Sequence, residues 1–148
     1  MRATQRIVPV ALGAVALLAP TAGGASARTV TEAAPCTQWN VTGTWSTSQA
    51  NNFHVTFRFK QVGTKLSGTA ILPAGEAASL GYSTGKFTGT VKGKRLSLIL
   101  PWVNGPKAEY IATVSSGAMT GSGRAVASPP YPWTAWWGKG PTRCVHRG

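Results

Sequence analysis

The chain contains no aspartate, and its three glutamates, Glu32, Glu76 and Glu109, stand far apart in 148 residues. General acid–base chemistry by paired carboxylates needs two acids brought to one place, and this spacing argues against it. Histidine is limited to His54 and His146. A Ser-His-acid triad needs an imidazole oriented by a carboxylate; His54 reads as a residue of a polar strand face and His146 as part of the C-terminal tail. The two cysteines form no Cys-x-x-Cys pair, and no metal-ligand spacing, phosphate-cradling glycine loop or dinucleotide fingerprint occurs. The expectation is a protein that is not an enzyme, with no catalytic residues, no metal site and no cofactor.

Long apolar runs are also missing, except at the start. Arg2 and Arg6 precede "IVPVALGAVALLAP", and Ala25-Ser26-Ala27 offers a small-residue cleavage site, the pattern of a secretory signal peptide. That run is too short and too interrupted, by Pro9 and Pro20, for a membrane span. Cleavage after Ala27 takes 27 residues from 148 and leaves 121, a length that suits one domain. The expected organisation is a cleaved signal peptide over 1–27, an N-terminal segment over 28–40, a β-domain over 41–138 and a tail over 139–148. The protein is expected to be secreted, with no transmembrane segment in its mature form.

Against the few acids stand 15 lysines and arginines, a formal net charge of +12. Without Arg2 and Arg6, 13 cations face the three glutamates, a net +10. Such a protein is drawn to anionic cell-surface polymers, although charge alone selects no partner. The cations are scattered among Thr and Ser rather than interleaved with exposed aromatics as a stacking platform requires. No specific nucleic-acid binding is expected; salt-sensitive, sequence-independent binding is. Asn40-Val41-Thr42 matches a glycosylation sequon, a pattern short enough to arise by chance.

In an exported chain Cys36 and Cys144 are expected to form a disulfide. They nearly bracket the mature sequence, so the bridge closes a loop whose restriction in the unfolded chain contributes about 4–5 kcal/mol.

Helix signals are nearly absent after the leader. Short stretches alternate apolar and polar residues between Gly, Asn, Ser and Pro, which predicts strands at about 41–47, 53–61, 65–72, 85–92, 95–102, 107–114, 118–124 and 133–138. Two-residue turns at Gly63-Thr64, Gly93-Lys94 and Ser116-Gly117 place Phe59 opposite Gly68, Val91 opposite Leu96 and Val114 opposite Met119, apolar against apolar. A two-residue turn at Asn104-Gly105 would flip the face. A three-residue loop, Asn104-Gly105-Pro106, keeps it and sets Leu100 opposite Tyr110. Pro101 cannot donate to a ladder and is expected at a bulge or strand end.

The alternation gives one apolar face and one polar face with no helix to cover the first. The fold class expected is all-β: an eight-stranded antiparallel up-and-down barrel closed by the disulfide, which removes the sheet edges. A β-sandwich is the alternative. Outward Ile71, Ile99 and Ile111 hint at self-association, and the oligomeric state is left open.

The meander puts both cysteines and the tight turns at one pole, with Lys60, Lys65, Lys92, Lys94, Arg95 and Lys139 around them. The longer loops gather at the other. Small barrels bind ligands at such a mouth. The candidate ligand-binding residues there are Asn51, Tyr82, Phe87, Trp102, Asn104, Tyr110 and Trp133, with Ala108 and Gly123 leaving space beside Trp102 and Tyr110. The expected partner is a small apolar or aromatic ligand. The plain alternative is that these aromatics only plug a barrel of this size. The rival function is a basic, envelope-associated interaction protein, an adhesin or inhibitor, that binds anionic polymers or another protein.

"VTGTW" (Val41 to Trp45), "LSGTA", "FTGTV" and "PWVNG" resemble the avidin/streptavidin family, secreted eight-stranded barrels that bind biotin, usually as tetramers. The resemblance implies that Trp102, two residues before Asn104, is the tryptophan that packs on biotin, and that Trp133 answers to a last-strand tryptophan. The chain departs from the pattern at the polar ligands. Thr47 stands where the family has the Asn for the ureido oxygen, and Asn51 stands at a nearby Ser position. Ala108, Tyr110 and Ala112 line the sixth strand, the seventh lacks its tryptophan, and the late aspartate is missing. The resemblance therefore implies the barrel, and tight biotin binding is not expected.

Overall fold

Alternation of β-branched and aromatic residues with Thr, Ser and Lys produces strands wherever the sequence predicts them, because each such stretch fits a pleated sheet buried on one side. The computed structural model describes residues 35–145. The leader pattern of 1–27, Glu32 and His146 lie outside the described residues. In chain order the elements are β1 (Trp39–Asn40), β2 (Gly43–Gln49), β3 (His54–Val62), β4 (Lys65–Ile71), α1 (Ala74–Leu80), β5 (Thr84–Lys92), β6 (Arg95–Pro101), β7 (Lys107–Ser115), β8 (Ala118–Val126), β9 (Thr134–Lys139) and β10 (Arg143–Cys144). Strands β2 to β9 pair in sequence order, all antiparallel, and β9 returns to β2 to close the barrel. The expected all-β up-and-down barrel of eight strands is the fold, with no sandwich.

The tight hairpins form at the expected turns. Gly63, Gly93 and Gly117 hold positive φ values of 59°, 59° and 70°, and the ladders run Phe59 to Gly68, Val91 to Leu96 and Val114 to Met119.

One register differs. Leu100 faces Ala108 and Leu98 faces Tyr110, so the β6–β7 connection is a five-residue loop, 102–106, in place of the three-residue loop expected. Pro106 has no N–H, and its carbonyl only accepts a 3.2 Å bond from Trp102 N. The ladder therefore ends at Pro101–Lys107, the strand end expected of Pro101. Trp102 instead bridges to Gly85 on β5, and Val103 N donates to Thr84 O at 2.8 Å. A shift of two residues preserves parity, so every side chain keeps its face.

Large side chains meet across small ones inside. Gly68 faces Phe59 on one side and Phe87 on the other, and above it the two rings approach to 5.0 Å at 65°. Phe57 joins them, with neighbours Phe59, Phe87, Tyr110 and Trp136 at centroid distances of 5.5, 5.6, 5.5 and 6.3 Å. Trp45, fully buried, donates its indole N–H to Val41 O at 2.9 Å. The barrel is thus packed solid through its middle.

Of the expected N-terminal segment (28–40) and C-terminal tail (139–148), the described residues contribute to the fold. β1 and β10 form a two-stranded strap, Trp39 opposite Cys144 and Asn40 opposite Arg143. The Cys36–Cys144 disulfide ties it, spanning 108 residues with its Cα atoms 5.5 Å apart. Two glutamines fasten the strap to the tight-turn pole. Gln38 donates to Val91 O and accepts from Gly93 N, and Gln61 accepts from Val41 N and donates to Trp39 O, at 2.9–3.2 Å.

Candidate functional site

The opposite pole is open. The β2–β3 connection, α1 with its flanks, the β6–β7 loop and the β8–β9 connection surround a cavity of about 270 Å³. Its wall is mainly apolar: Val55, Leu72, Trp102, Ala108 and Tyr110 from the barrel, with Leu80 and Tyr82 from the α1 segment. The aromatics thus do both things weighed for them: one set fills the middle and another forms a cup above it.

Local sequence explains the rim. Helix α1 was not expected; its cues are Pro73 at the N-cap and Gly81 at φ 76°, whose N–H closes on Ala77 O at 3.0 Å. Glu76, in its first turn, ties the helix to β3 by accepting from His54 N at 2.9 Å and meeting His54 Nδ1 at 2.8 Å. His54 thus has an orienting carboxylate, but its ring is exposed and no hydroxyl hydrogen-bonds to it among the described residues. Asn104, at φ 60°, and Gly105 turn the β6–β7 loop. A Cβ on Gly105 would lie 2.7 Å from the Tyr82 ring, so glycine there lets Tyr82 lie against Trp102, centroids 5.3 Å apart.

Of the candidate residues, Asn51, Tyr82, Trp102 and Tyr110 line the cavity. Three are placed elsewhere. Phe87 is 1% exposed in the central aromatic cluster, because Gly68 opposite draws its ring inward beneath the mouth. Asn104 is exposed and is not part of the cavity wall. Trp133 precedes β9 and lies outside, 43% exposed, with the Arg124 guanidinium 4.5 Å above its ring. The buried tryptophan of the last strand is Trp136.

Sequence reasoning passed over Gln49, Leu80 and Arg124. Gln49 was legible: it continues the inward series Trp45, Thr47, Gln49 at period two. Arg124 was not, because it sits on the outer face yet reaches the rim, held by Glu109 through Nε at 3.2 Å and Nη2 at 3.0 Å.

Tyr110 is the polar centre of the floor. Gln49 Nε2 donates to its hydroxyl at 3.3 Å, and a Cβ on Gly123 would lie 2.7 Å from its ring, so only glycine opposite leaves it room. Burial pushes the Tyr110 phenol up to about 12, the Gln49 hydrogen bond opposing and Tyr82 adding to the rise. The hydroxyl keeps its proton at physiological pH. An unfolded tyrosine loses its proton near pH 10, so stability from this group is complete below about pH 10. It should decline as pH rises towards 12, by roughly 2–3 kcal/mol in all. Urea titrations across that range should show the slope, and Tyr110→Phe should remove most of it; an unchanged slope would refute the assignment.

Thr47 spends its hydroxyl on Val55 O at 2.8 Å and is buried. Among the described residues no helix is long and apolar enough to cross a membrane, and no three His, Cys, Asp or Glu side chains gather as metal ligands would. Compared with protein-family models, with curated proteins and with solved structures, the chain matches none.

Proposed function

We propose that this is a secreted, non-catalytic binding protein that takes a small apolar or aromatic ligand at the barrel mouth. The observation that carries the reading is the cup itself: the middle of the barrel is filled by aromatics, while the mouth keeps about 270 Å³ walled by Trp102, Tyr82, Leu72 and Leu80. Ligand clefts usually run from about 300 to 1,000 Å³, so the ligand is at the small end. An avidin-like architecture is consistent with the barrel, and Trp102 at the mouth supports that kinship. Biotin is not the expected ligand, since the Thr47 hydroxyl is engaged and no carboxylate lines the cup.

Neutral 2-naphthamide followed by amide NMR is a direct test. Shifts should concentrate at Tyr82, Trp102, Ala108 and Tyr110, and Ala108→Leu, which fills the cup, should weaken binding by about tenfold or more. Absence of shifts at millimolar probe, or shifts spread over the outer strands, would overturn the reading.

A second reading, retention by anionic envelope polymers, draws on one observation. Both described carboxylates are paired, Glu76 with His54 and Glu109 with Arg124, so the lysines of the tight-turn pole stand without acidic partners among the described residues. Capture on an anionic matrix that persists when the cup is filled would favour it.

A further inference from the structure

The cup has an uneven supply of hydrogen-bonding groups. In the Gln49–Tyr110 pair the amide donates and the phenol oxygen accepts, which leaves the Tyr110 O–H proton with no acceptor among the described residues. Turning the Gln49 amide over would exchange the roles and still leave donor hydrogens spare. Trp136 lies directly across the ladder from Gln49 and packs edge-on against Tyr110, centroids 5.8 Å apart. Its indole N–H is buried without a partner. Arg124, on the cavity wall, commits Nε and Nη2 to Glu109 and leaves Nη1 without a hydrogen-bond partner among the described residues. Glu109 itself is not part of that wall. Buried donors left unmade are unfavourable, and a charged acceptor satisfies them best.

We infer that the ligand of the mouth cavity is a small apolar acid, its ring or chain against Trp102 and Tyr82 and its carboxylate received by Tyr110 O–H and Arg124. This rests on the cavity reading above and adds the chemistry of the ligand's polar end. The net charge of +10 that remains without Arg2 and Arg6 favours the encounter. The raised pKa of Tyr110 agrees, since the phenol remains a donor. Trp133, stacked under the guanidinium, holds Arg124 at the rim. It acts on the ligand through Arg124.

Three probes of one shape make the test: 2-naphthoate, 2-naphthamide and 2-naphthylmethylamine, titrated calorimetrically at pH 7. The expected order is naphthoate tighter than naphthamide by about tenfold or more, with the ammonium, which offers no acceptor and meets Arg124, weakest. Tyr110→Phe and Arg124→Met should each narrow the naphthoate–naphthamide gap by several-fold. Equal binding of acid and amide at the mouth would overturn the acid inference and leave the cavity reading standing. Binding of none of the three would remove both. A naphthoate preference that survives both substitutions would place the acid on surface lysines and would also overturn the inference.

Discussion

Replacing Cys36 and Cys144 together with serine is expected to lower the unfolding free energy by about 4–5 kcal/mol. The bridge spans 108 residues, nearly all of the described chain, so the unfolded state gains most of its freedom when the link is cut. The folded state loses little at first, because Gln38 and Gln61 still sew the strap to the tight-turn pole. The fall in Tm should be about 10–20 °C, measured by circular dichroism with the wild type unreduced. The two paired residues of β1 and β10 cannot replace the bridge. A loss under about 1 kcal/mol would mean that the strap hydrogen bonds hold the termini by themselves and that loop closure is the wrong account.

Phe57→Ala is expected to cost a further order-of-magnitude equal amount, about 3–5 kcal/mol, by leaving a cavity where the barrel is most tightly filled. Its ring meets Phe59 on its own strand and Phe87, Tyr110 and Trp136 on β5, β7 and β9. Partial collapse is the only relief, and the ladders that carry the rings resist it. Because Tyr110, which packs on Phe57, lines the cup, the same substitution should also loosen ligand binding. Denaturant titration gives the stability term, and near-ultraviolet circular dichroism should lose aromatic ellipticity. Tyr131→Ala, exposed at the rim, is the control and should change stability by no more than about 0.5 kcal/mol. Equal losses in the two variants would refute a barrel held by its aromatic centre.

Much of the architecture was written locally. The strand at His54–Val62 alternates His54, Thr56, Arg58 and Lys60 outward with Val55, Phe57 and Phe59 inward, and Gly63 then sets the turn. Such signals need only neighbours two residues away, which is why strands, hairpins and faces could be read in advance. The β6–β7 loop shows the limit. Parity chose the right face, yet two loop lengths share that parity, and only the bonds of Trp102 and Val103 to Pro106 and to β5 distinguish them.

The site was legible to a lesser degree, for the same reason. Trp102, Tyr82, Tyr110 and Asn51 could be placed at the mouth because loop lengths sort the poles. Phe87 could not be separated from them, because its depth depends on the glycine facing it in another strand. Arg124 folding over Trp133, Gln49 meeting Tyr110 and the unpaired Trp136 N–H are relations among side chains distant in sequence.

By itself the sequence determined eight strands with one apolar and one polar face and their hairpin order, and pointed to a barrel with two unlike poles and a Cys36–Cys144 bridge, because period-two alternation and turn residues act over a few positions. The return of β9 to β2 chose the barrel over the sandwich. Only the tertiary structure decided that the middle is solid while the mouth is hollow, that a short helix walls the cup, and that its floor holds spare donors. Those properties depend on which rings interlock across the barrel and which hydrogen bonds remain unmade, and no local pattern carries that information.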